Sequence, residues 1–155
     1  MNNITIRKAT IEDLESVQEL NNGLFELEKE NYDSTLVRDW PYTEDGKKYF
    51  TDLINNNYVV LAELDNKPVG YLAGTINGKG SYEDVQYGEL NNMFIKEECR
   101  GLGIGKSLIN SFKDYCKSNG INNLKVIASY KNIKAIEFYK KNGFEEFNIT
   151  LTTKI

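Results

Sequence analysis

Residues 88–108 have the sequence GELNNMFIKEECRGLGIGKSL, in which the residue pattern changes twice. Leu90–Ile95 is an apolar run with the length of a strand, and Arg100–Gly105 is a turn rich in glycine. The apolar residues that follow recur at the spacing of one helix face, at Ile104, Leu108, Ile109, Phe112 and Cys116. The stretch therefore predicts a strand, a tight turn and a helix that buries one side.

The predicted turn is suited to an anion. Gly101, Gly103 and Gly105 leave backbone N–H groups uncovered by side chains at the start of the helix. These donors and the positive end of the helix dipole attract negative charge, above all phosphate. We therefore expect a phosphate site here, with Arg100 and Lys106 beside it. The alternative is a tight strand-to-helix connection that binds nothing.

Two common phosphate-binding patterns do not fit this turn. A Walker A loop requires glycine five positions before the Gly-Lys-Ser triplet at 105–107, where the chain has Arg100. The dinucleotide pattern G-x-G-x-x-G requires a third glycine where the chain has Lys106 or Leu108. The spacing thus argues against both kinds of nucleotide site.

A second patterned stretch covers residues 132–144, NIKAIEFYKKNGF. Asn132 is a suitable N-cap for a helix, and Gly143 is suited to the position just beyond its C-terminus. The apolar residues between them fall at helical spacing, at Ala135, Ile136, Phe138 and Tyr139. We expect a short helix here, with Phe138 packed in the core.

Together the two stretches resemble the GNAT N-acetyltransferase superfamily. Arg-x-x-Gly-x-Gly after a strand that ends in Met93-Phe94-Ile95 is similar to the family's acyl-coenzyme A motif, and N-x-x-A-x-x-F-Y-x-x-x-G-F is similar to its later signature. The resemblance implies an α/β fold in one domain, residues 1–155. In that fold a central mixed sheet, with helices on both faces, contains a bulged and splayed central strand.

The resemblance also implies acetyl-CoA as co-substrate, with its pyrophosphate on the glycine turn, and no metal. The implied contacts are Met93, Phe94, Ile95, Arg100, Gly101, Leu102, Gly103, Ile104, Gly105, Lys106, Asn132 and Tyr139. Within this set, the N–H of Met93 would face the thioester oxygen. Ile95 would pair with the pantetheine arm.

The central strand has an irregular apolar pattern. Its anchors are Leu90, Met93 and Ile95, but strict alternation would send Leu90 and Met93 to opposite faces. We therefore predict a β-bulge near Asn91-Asn92, which returns the anchors to one face. In the family such a bulge separates this strand from its parallel neighbour and opens a slot.

Two residues are catalytic candidates by resemblance. Tyr139 matches the family's tyrosine acid, which serves the leaving thiolate. Glu89 lies four residues before Met93, where some members place a catalytic glutamate, and Glu83 and Asp84 are reserves. A lysine-like amine with a pKa near ~10.4 needs a base at pH 7, directly or through water.

The rest of the chain supplies the remaining elements. Thr10 and Asp13 form a capping-box pattern that opens a helix, which Asn21-Asn22-Gly23 weakens. The other predicted elements are a strand 3–8, a polar segment Glu28–Tyr42, a helix Glu44–Asn55, a hairpin of Tyr58–Leu64 and Pro68–Ile76, a buried strand Leu124–Ser129 and a final strand Phe144–Thr152. This order predicts antiparallel strands followed by a parallel crossover.

Composition narrows the function. The 155 residues contain no histidine, which excludes a histidine base, a Ser-His-Asp triad and a histidine-ligated metal. Cys99 and Cys116 have neither metal nor disulfide spacing, so we expect reduced thiols. We find no pattern of a signal peptide or a membrane span, and a net charge of −4 argues against nucleic acid. We expect a cytoplasmic protein that binds neither membrane nor nucleic acid.

The expected function is transfer of the acetyl group of acetyl-CoA to a primary amine of a small molecule or peptide. A non-catalytic acyl-CoA-binding or regulatory module on the same fold is the alternative, in which Glu89 and Tyr139 would be dispensable. Acids at Glu28, Glu30 and nearby could favour a cationic acceptor or simply form a solvated face. Homodimer formation is common in such folds, and no pattern in the sequence decides it.

Overall fold

The computed structural model describes residues 3–155 and contains one five-stranded sheet. Met1 and Asn2, the first residues of the predicted domain, lie outside the described part. The strands, in spatial order, are β1 (Ile4–Lys8), β2 (Tyr58–Leu64), β3 (Lys67–Ile76), β4 (Tyr87–Ile95) and β5 (Asn123–Val126). Neighbouring strands are antiparallel except β4 and β5, which are parallel. The predicted mixed sheet is confirmed.

Helices cover both faces of this sheet, as predicted. They are α1 (Leu14–Asn31), α2 (Glu44–Asn56), α3 (Ile104–Ser118) and α4 (Ile133–Lys141). The cluster of α1 and α2 contains Val17, Phe50 and Tyr71, and the cluster on the α3 face contains Leu72 and Phe112. Every residue of the predicted α3 stripe is buried. No helix within residues 3–155 is both long and apolar enough to cross a bilayer.

The predicted capping box is present, in a 3-10 turn (Ile11–Asp13) that precedes α1. The Thr10 N–H donates to the Asp13 carboxylate at 2.8 Å. Arg7 in β1 pairs with the carboxylates of Asp13 and of Glu63 in β2, each at 2.8 Å. This ion-pair network joins two strands to the start of the helix.

The helix α1 is longer than predicted. It continues through Asn21-Asn22-Gly23 and ends at Asn31. Asn21 is fully buried, but its Nδ2 donates to Tyr71 Oη at 2.7 Å, which replaces the lost hydrogen bond to water. Tertiary contacts thus outweigh the low helix propensity of these residues. The polar segment expected from Glu28 therefore begins only after α1 ends.

The strand β4 contains the predicted bulge. Two consecutive residues of β3 pair with Asn92 and Leu90, so Asn91 is an extra residue without a partner. The insertion places Leu90, Met93 and Ile95 together on the α3 face, where all three pack against the same cluster. The irregular spacing in the sequence is therefore explained by the bulge.

The strand β5 follows β4 over only part of its length. The parallel pairing ends with Leu90 opposite Val126. From there to Ile95, β4 pairs with β3 on one side, and no strand of the described chain pairs with it on the other. β5 is accordingly shorter than the predicted strand Leu124–Ser129. The predicted separation of the two parallel strands is present, and we call the space beside the second half of β4 the gap.

The predicted final strand, Phe144–Thr152, is wrong. Residues 144–155 have no regular secondary structure. Their alternating apolar side chains are 82–88% exposed, at Phe147, Ile149 and Leu151. A strand requires a hydrogen-bonded neighbour, and within residues 3–155 no strand pairs with this segment. Alternation alone could not supply that partner.

Candidate active site

The glycine turn between β4 and α3 presents a row of free backbone donors. Gly101 and Gly103 both have a φ of +79°, a conformation that favours glycine. Within residues 3–155, the six N–H groups of residues 101–106 donate to no acceptor, and the first helical bond runs from the Ser107 N–H to the Gly103 oxygen at 3.1 Å. Unpaired donors at the positive end of a helix form an anion site.

The core holds this turn in place from one side. Ile104 and Gly105 are buried, whereas residues 101–103 and Lys106 are exposed. A Cβ at Gly105 would lie 2.8 Å from the ring of Phe138, so glycine is what allows α4 to pack this closely. The predicted phosphate residues are therefore brought together on an exposed rim above a packed base.

Arg100 lies on the same rim and turns towards β4. Its Nε donates to the Ile95 carbonyl oxygen at 3.0 Å, and its guanidinium carbon lies 5.6 Å from the centre of the Phe94 ring. Its terminal nitrogens make no other hydrogen bond within the described chain. Arg100 thus bridges the turn and the strand, while Lys106 is free in solvent.

Backbone donors also line the gap. The Lys96 N–H donates to the Val69 oxygen in β3 at 2.9 Å. Because the N–H groups of successive residues point to opposite edges of a strand, those of Ile95 and Met93 point away from β3. They face the side that β5 leaves uncovered. The predicted donors Met93 and Ile95 are therefore adjacent to the glycine turn and on the open edge.

The helix α4 begins at the predicted cap. Asn132 Oδ1 accepts a hydrogen bond from the Ala135 N–H at 3.1 Å, and Gly143, with a φ of +93°, follows the end of the helix. The Nδ2 of Asn132 makes no hydrogen bond to any residue that the structure describes. The capping role is confirmed, and a contact of Asn132 with coenzyme A stays a prediction.

Tyr139 is partly buried on α4 and packs against the hydrophobic cluster on the α3 face. Its ring centre lies 5.5 Å from those of Phe138 and Phe144. Burial, followed by the charge of Glu28, raises the pKa of Tyr139. Its hydroxyl makes no hydrogen bond within residues 3–155. A phenol with a raised pKa stays protonated at neutral pH and can donate to a ligand.

Glu89 lies on the face of β4 that α1 and α2 cover. Asn77 Nδ2 donates to its carboxylate, and Lys125 Nζ lies 3.8 Å from it. The Glu89 side chain is 20% exposed, so the predicted base can exchange protons with water. Of the two reserves, Glu83 bonds to an N–H of its own loop and Asp84 is exposed.

A buried hydrogen-bond network on this face was not predicted. Asn21 Nδ2 donates to Tyr71 Oη at 2.7 Å and to Asn92 Oδ1 at 3.4 Å, and Asn92 Nδ2 donates to Tyr49 Oη at 3.1 Å. Since Asn92 follows the bulge, the network connects both N-terminal helices to the irregular part of β4. The signal available in the sequence was an asparagine four residues after Val17, at a core position of α1.

Aromatic side chains form the surface between α1 and α2. Trp40 stacks on Phe25 with ring centres 5.6 Å apart and meets Tyr49 edge-on at 5.5 Å. We call Phe25, Trp40 and Tyr49 the aromatic wall, and none of the three is fully buried. Glu28, three residues after Phe25, is partly buried beside them.

Sequence comparison identifies relatives across most of the chain. The model of the acetyltransferase (GNAT) family matches residues 15–144. An uncharacterised N-acetyltransferase of Methanocaldococcus jannaschii is 32% identical over 145 residues, which is 92% of this chain. This chain spans 61% of the length of that relative. A second uncharacterised N-acetyltransferase of the same organism is 29% identical over 142 residues, 91% of this chain and 78% of that protein.

Solved structures share the fold. A tetramutant of a Bacillus halodurans protein superposes with a TM-score of 0.84 at 17% identity, over 97% of this chain and 99% of that one. The aminoglycoside N-acetyltransferase AAC(6')-Iy, solved in complex with CoA, gives a TM-score of 0.76 at 17% identity, over 100% and 96%. At these identities the likeness shows the fold alone. The family match, however, includes both the glycine turn and the whole of the α4 motif: the chain belongs to the acetyltransferase (GNAT) family.

Proposed function

We propose that the protein transfers the acetyl group of acetyl-CoA directly to a primary amine of a small molecule or peptide. The observation that carries the proposal is the continuity of two sets of unpaired donors, those of residues 101–106 and those of Met93 and Ile95. The first set suits a pyrophosphate, and the second suits the amides of an extended chain. Coenzyme A carries these groups in that order.

In the proposed complex, residues 101–106 bind the pyrophosphate, and Arg100 and Lys106 lie beside it. Ile95 pairs with the pantetheine arm, and Asn132 offers its free Nδ2. Local cations matter here because a protein with a net charge of −4 repels an anion at long range.

Met93 directs its N–H towards the thioester oxygen in this arrangement. A fixed donor aimed at a developing oxyanion lowers the barrier by about 2.7–4 kcal/mol in enzymes where one was removed. The bulge at Asn91 supports this role, because it turns the strand where β5 stops pairing with it.

Glu89 accepts the proton of the incoming amine, directly or through water. A primary amine with a pKa near ~10.4 is almost wholly protonated at pH 7, and only its neutral form attacks a thioester. Asn77 and Lys125 fix the orientation of the Glu89 carboxylate. The proposed reaction uses no metal.

Tyr139 donates a hydrogen bond to the leaving thiolate. A phenol of pKa ~10 gives its proton to a thiolate of pKa ~8.5 at a cost of about 2 kcal/mol. Burial raises the pKa of Tyr139, with a smaller contribution from Glu28, and so makes full transfer less favourable still. This supports hydrogen-bond donation as its main contribution.

Two measurements test the proposal. Calorimetric titration should show that acetyl-CoA binds and ATP does not, and a panel of amines should include acceptors that release free coenzyme A. Binding without release by any amine would instead favour a non-catalytic acyl-CoA-binding or regulatory module. Failure of acetyl-CoA to bind would contradict both functions.

We also propose a cytoplasmic location and a homodimer, with an amine acceptor rather than nucleic acid or membrane as partner. Cys99 and Cys116 are free, buried thiols, as cytoplasmic proteins usually have. The exposed segment 144–155 and the outer edge of β5 offer surface to a second copy. Light scattering in solution measures the oligomeric state directly.

A further inference from the structure

One carboxylate near the candidate active site lacks a cationic partner. Glu28 lies in the last turn of α1, at the negative end of the helix dipole. Among residues 3–155 its side chain has no ion pair and no hydrogen bond. Burial, and then the charge of Asp33, raises the pKa of Glu28. Each of these conditions disfavours an isolated anion, so a bound cation would be stabilised here.

The carboxylate faces the site. Glu28 lies two helical turns after Asn21 and therefore on the same side of α1. Asn21 contacts Tyr71 and Asn92, so this side looks onto the sheet. Burial is the main cause of the raised pKa values of Tyr71 and Tyr139, and the charge of Glu28 adds to both. The side of α1 that carries Glu28 therefore faces the sheet on which the proposed mechanism takes place.

One member of the aromatic wall, Phe25, borders this carboxylate. Phe25 and Glu28 are neighbours on the helix surface because they are three residues apart. The faces of electron-rich rings attract cations. Tyr49 is joined to the β4 strand through Asn92, which fixes the wall relative to the site. Carboxylate and rings together favour a positive group over a neutral or anionic one.

The surrounding segment is acidic. Residues 26–39 contain five acidic and two basic side chains. One of the basic pair, Lys29, is occupied, since its Nζ donates to the Ser34 and Leu36 carbonyl oxygens at 2.8 and 2.6 Å. On the same side of α1, the buried Oδ1 of Asn21 has no hydrogen-bond partner within residues 3–155. The acidic side chains of the region therefore suit a ligand with more than one positive charge.

We propose that Glu28 and the aromatic wall form the acceptor site for a di- or polyamine, in which Glu28 binds one ammonium group while a second amine, deprotonated by Glu89, attacks the thioester. This inference rests on the proposed acetyl transfer and names its acceptor class. The other ammonium groups lie along the aromatic wall and the exposed acids of residues 26–39. Glu28 binds substrate here, and Glu89 keeps the role of base.

Trp40 makes this site observable without turnover. It is the single tryptophan of the chain, so tryptophan fluorescence reports on the aromatic wall. Spermidine is titrated into protein saturated with coenzyme A, which carries no acetyl group to transfer. We expect a saturable change in fluorescence and a Kd about tenfold or more higher in Glu28→Gln, the usual size for a lost contact to a charged group. Glu15→Gln, which removes an exposed acid from the first turn of α1, should match the wild type.

Kinetics give a second readout. In Glu28→Gln the KM for spermidine should rise about tenfold or more, while the Kd for acetyl-CoA changes less than about twofold. Glu28→Asp should recover part of the loss because it restores the charge. The wild type should acetylate spermidine at least about a hundredfold more efficiently than p-aminobenzoate, an acceptor without a cationic amine.

Three results would overturn the assignment. These are no fluorescence response to spermidine, equal spermidine affinity in Glu28→Gln and Glu15→Gln, and equal use of spermidine and p-aminobenzoate. If acetyl-CoA binds and other amines release coenzyme A, such a result refutes the acceptor site and leaves acetyl transfer intact. If acetyl-CoA fails to bind, both the acceptor site and the proposed acetyl transfer are contradicted. If Glu28→Gln folds poorly, the spermidine affinity of Glu28→Asp and the titration of the wild type still test the acceptor site.

Discussion

Tyr139 combines a raised pKa with a hydroxyl that no residue of the described chain uses. Tyr139→Phe removes the hydroxyl and keeps the ring between Phe138 and Phe144. We expect kcat to fall about 10- to 100-fold, because a hydrogen bond to a charged group contributes roughly 1.5–3 kcal/mol. The Kd for acetyl-CoA should hardly change. Steady-state release of coenzyme A and calorimetry measure the two quantities.

Tyr82→Phe is the matched control, since Tyr82 is 90% exposed. It should leave both kcat and the Kd for acetyl-CoA as they are. Unaltered kcat in Tyr139→Phe would remove Tyr139 from the mechanism. A large loss of acetyl-CoA affinity would instead make it a binding residue.

The ion pairs of Arg7 give the fold a pH-dependent contribution. The hydrogen bond from Arg7 is the main cause that lowers the pKa of Asp13 from 3.8 to about 2. Because the folded pKa lies below the unfolded one, this stabilisation is present above about pH 4 and is lost as the pH falls towards about 2. After allowance for solvent screening, we expect Asp13→Asn to lower the free energy of unfolding by about 1–2 kcal/mol at pH 7, including the lost capping contact.

Urea denaturation at several pH values checks this prediction. The difference in unfolding free energy between wild type and Asp13→Asn should shrink between about pH 4 and about pH 2. Asp84→Asn, in an exposed loop, should show no such difference at any pH. A difference for Asp13→Asn that stays constant as the pH falls would show that the ion pair does not contribute.

At this scale, the sequence could predict residues whose role is local. The glycines at 101 and 103 and the cap Asn132 follow from backbone rules, and the structure has them as expected. The contacts of Asn21 and Asn92 with tyrosines could not be predicted. Their partners lie 50 and 43 positions away in the chain, respectively, so these contacts depend on strand register and on helix placement.

Among the elements, β4 and the turn that follows it were the most predictable. The bulge was predicted from the three-residue step between the apolar anchors Leu90 and Met93. The pairing of β3 with β4 shows the extra residue at Asn91. The length of α1 was less predictable, because buried contacts of Asn21 outweigh its local propensity. The prediction of a strand at residues 144–152 was wrong for a related reason. Its apolar alternation favours a strand, but a strand forms only with a partner.

A substitution in the glycine turn before α3 tests whether this turn binds the phosphates of acetyl-CoA, as proposed. Gly103 has a φ of +79° and open space around an added Cβ, so alanine there is strained but does not clash. We expect Gly103→Ala to destabilise the protein by about 1–2 kcal/mol. We expect the Kd for acetyl-CoA to rise about tenfold or more, because the row of N–H groups is displaced. Calorimetry and urea denaturation measure the two effects.

Gly120→Ala provides the matched control. Gly120 follows the other end of α3, with a φ of +75° and equally open space. Gly120→Ala should lower the free energy of unfolding by about as much as Gly103→Ala does, and it should leave the Kd for acetyl-CoA unchanged. If both variants weaken acetyl-CoA binding equally, the effect is general loss of stability, and the turn has no special role.

In the molecule as a whole, β4 borders two surfaces. Its open edge leads to the glycine turn with Arg100 and Lys106, whereas Glu89 lies on its α1–α2 face. This arrangement suits an anionic donor on one side and a cationic acceptor on the other, with transfer between them beside Met93.

The fold class and the order of its elements were predictable because motifs and hydrophobic periods are local patterns. The proposed acceptor surface was not predictable, since it is assembled from α1, the turn at Trp40, α2 and β4. Each of these contributes side chains that appear unremarkable in the sequence. Their proximity to one another becomes visible only when the sheet brings them to one face.

The most direct test is an NMR titration of the amide-labelled protein with coenzyme A. If coenzyme A lies along the open edge of β4 with its pyrophosphate on the glycine turn, the amide signals of residues 101–106, Met93 and Ile95 should shift most, and those of β1 should stay in place. Shifts concentrated elsewhere, or no shifts at saturating coenzyme A, would contradict that placement and the roles of Tyr139 and Glu89 with it.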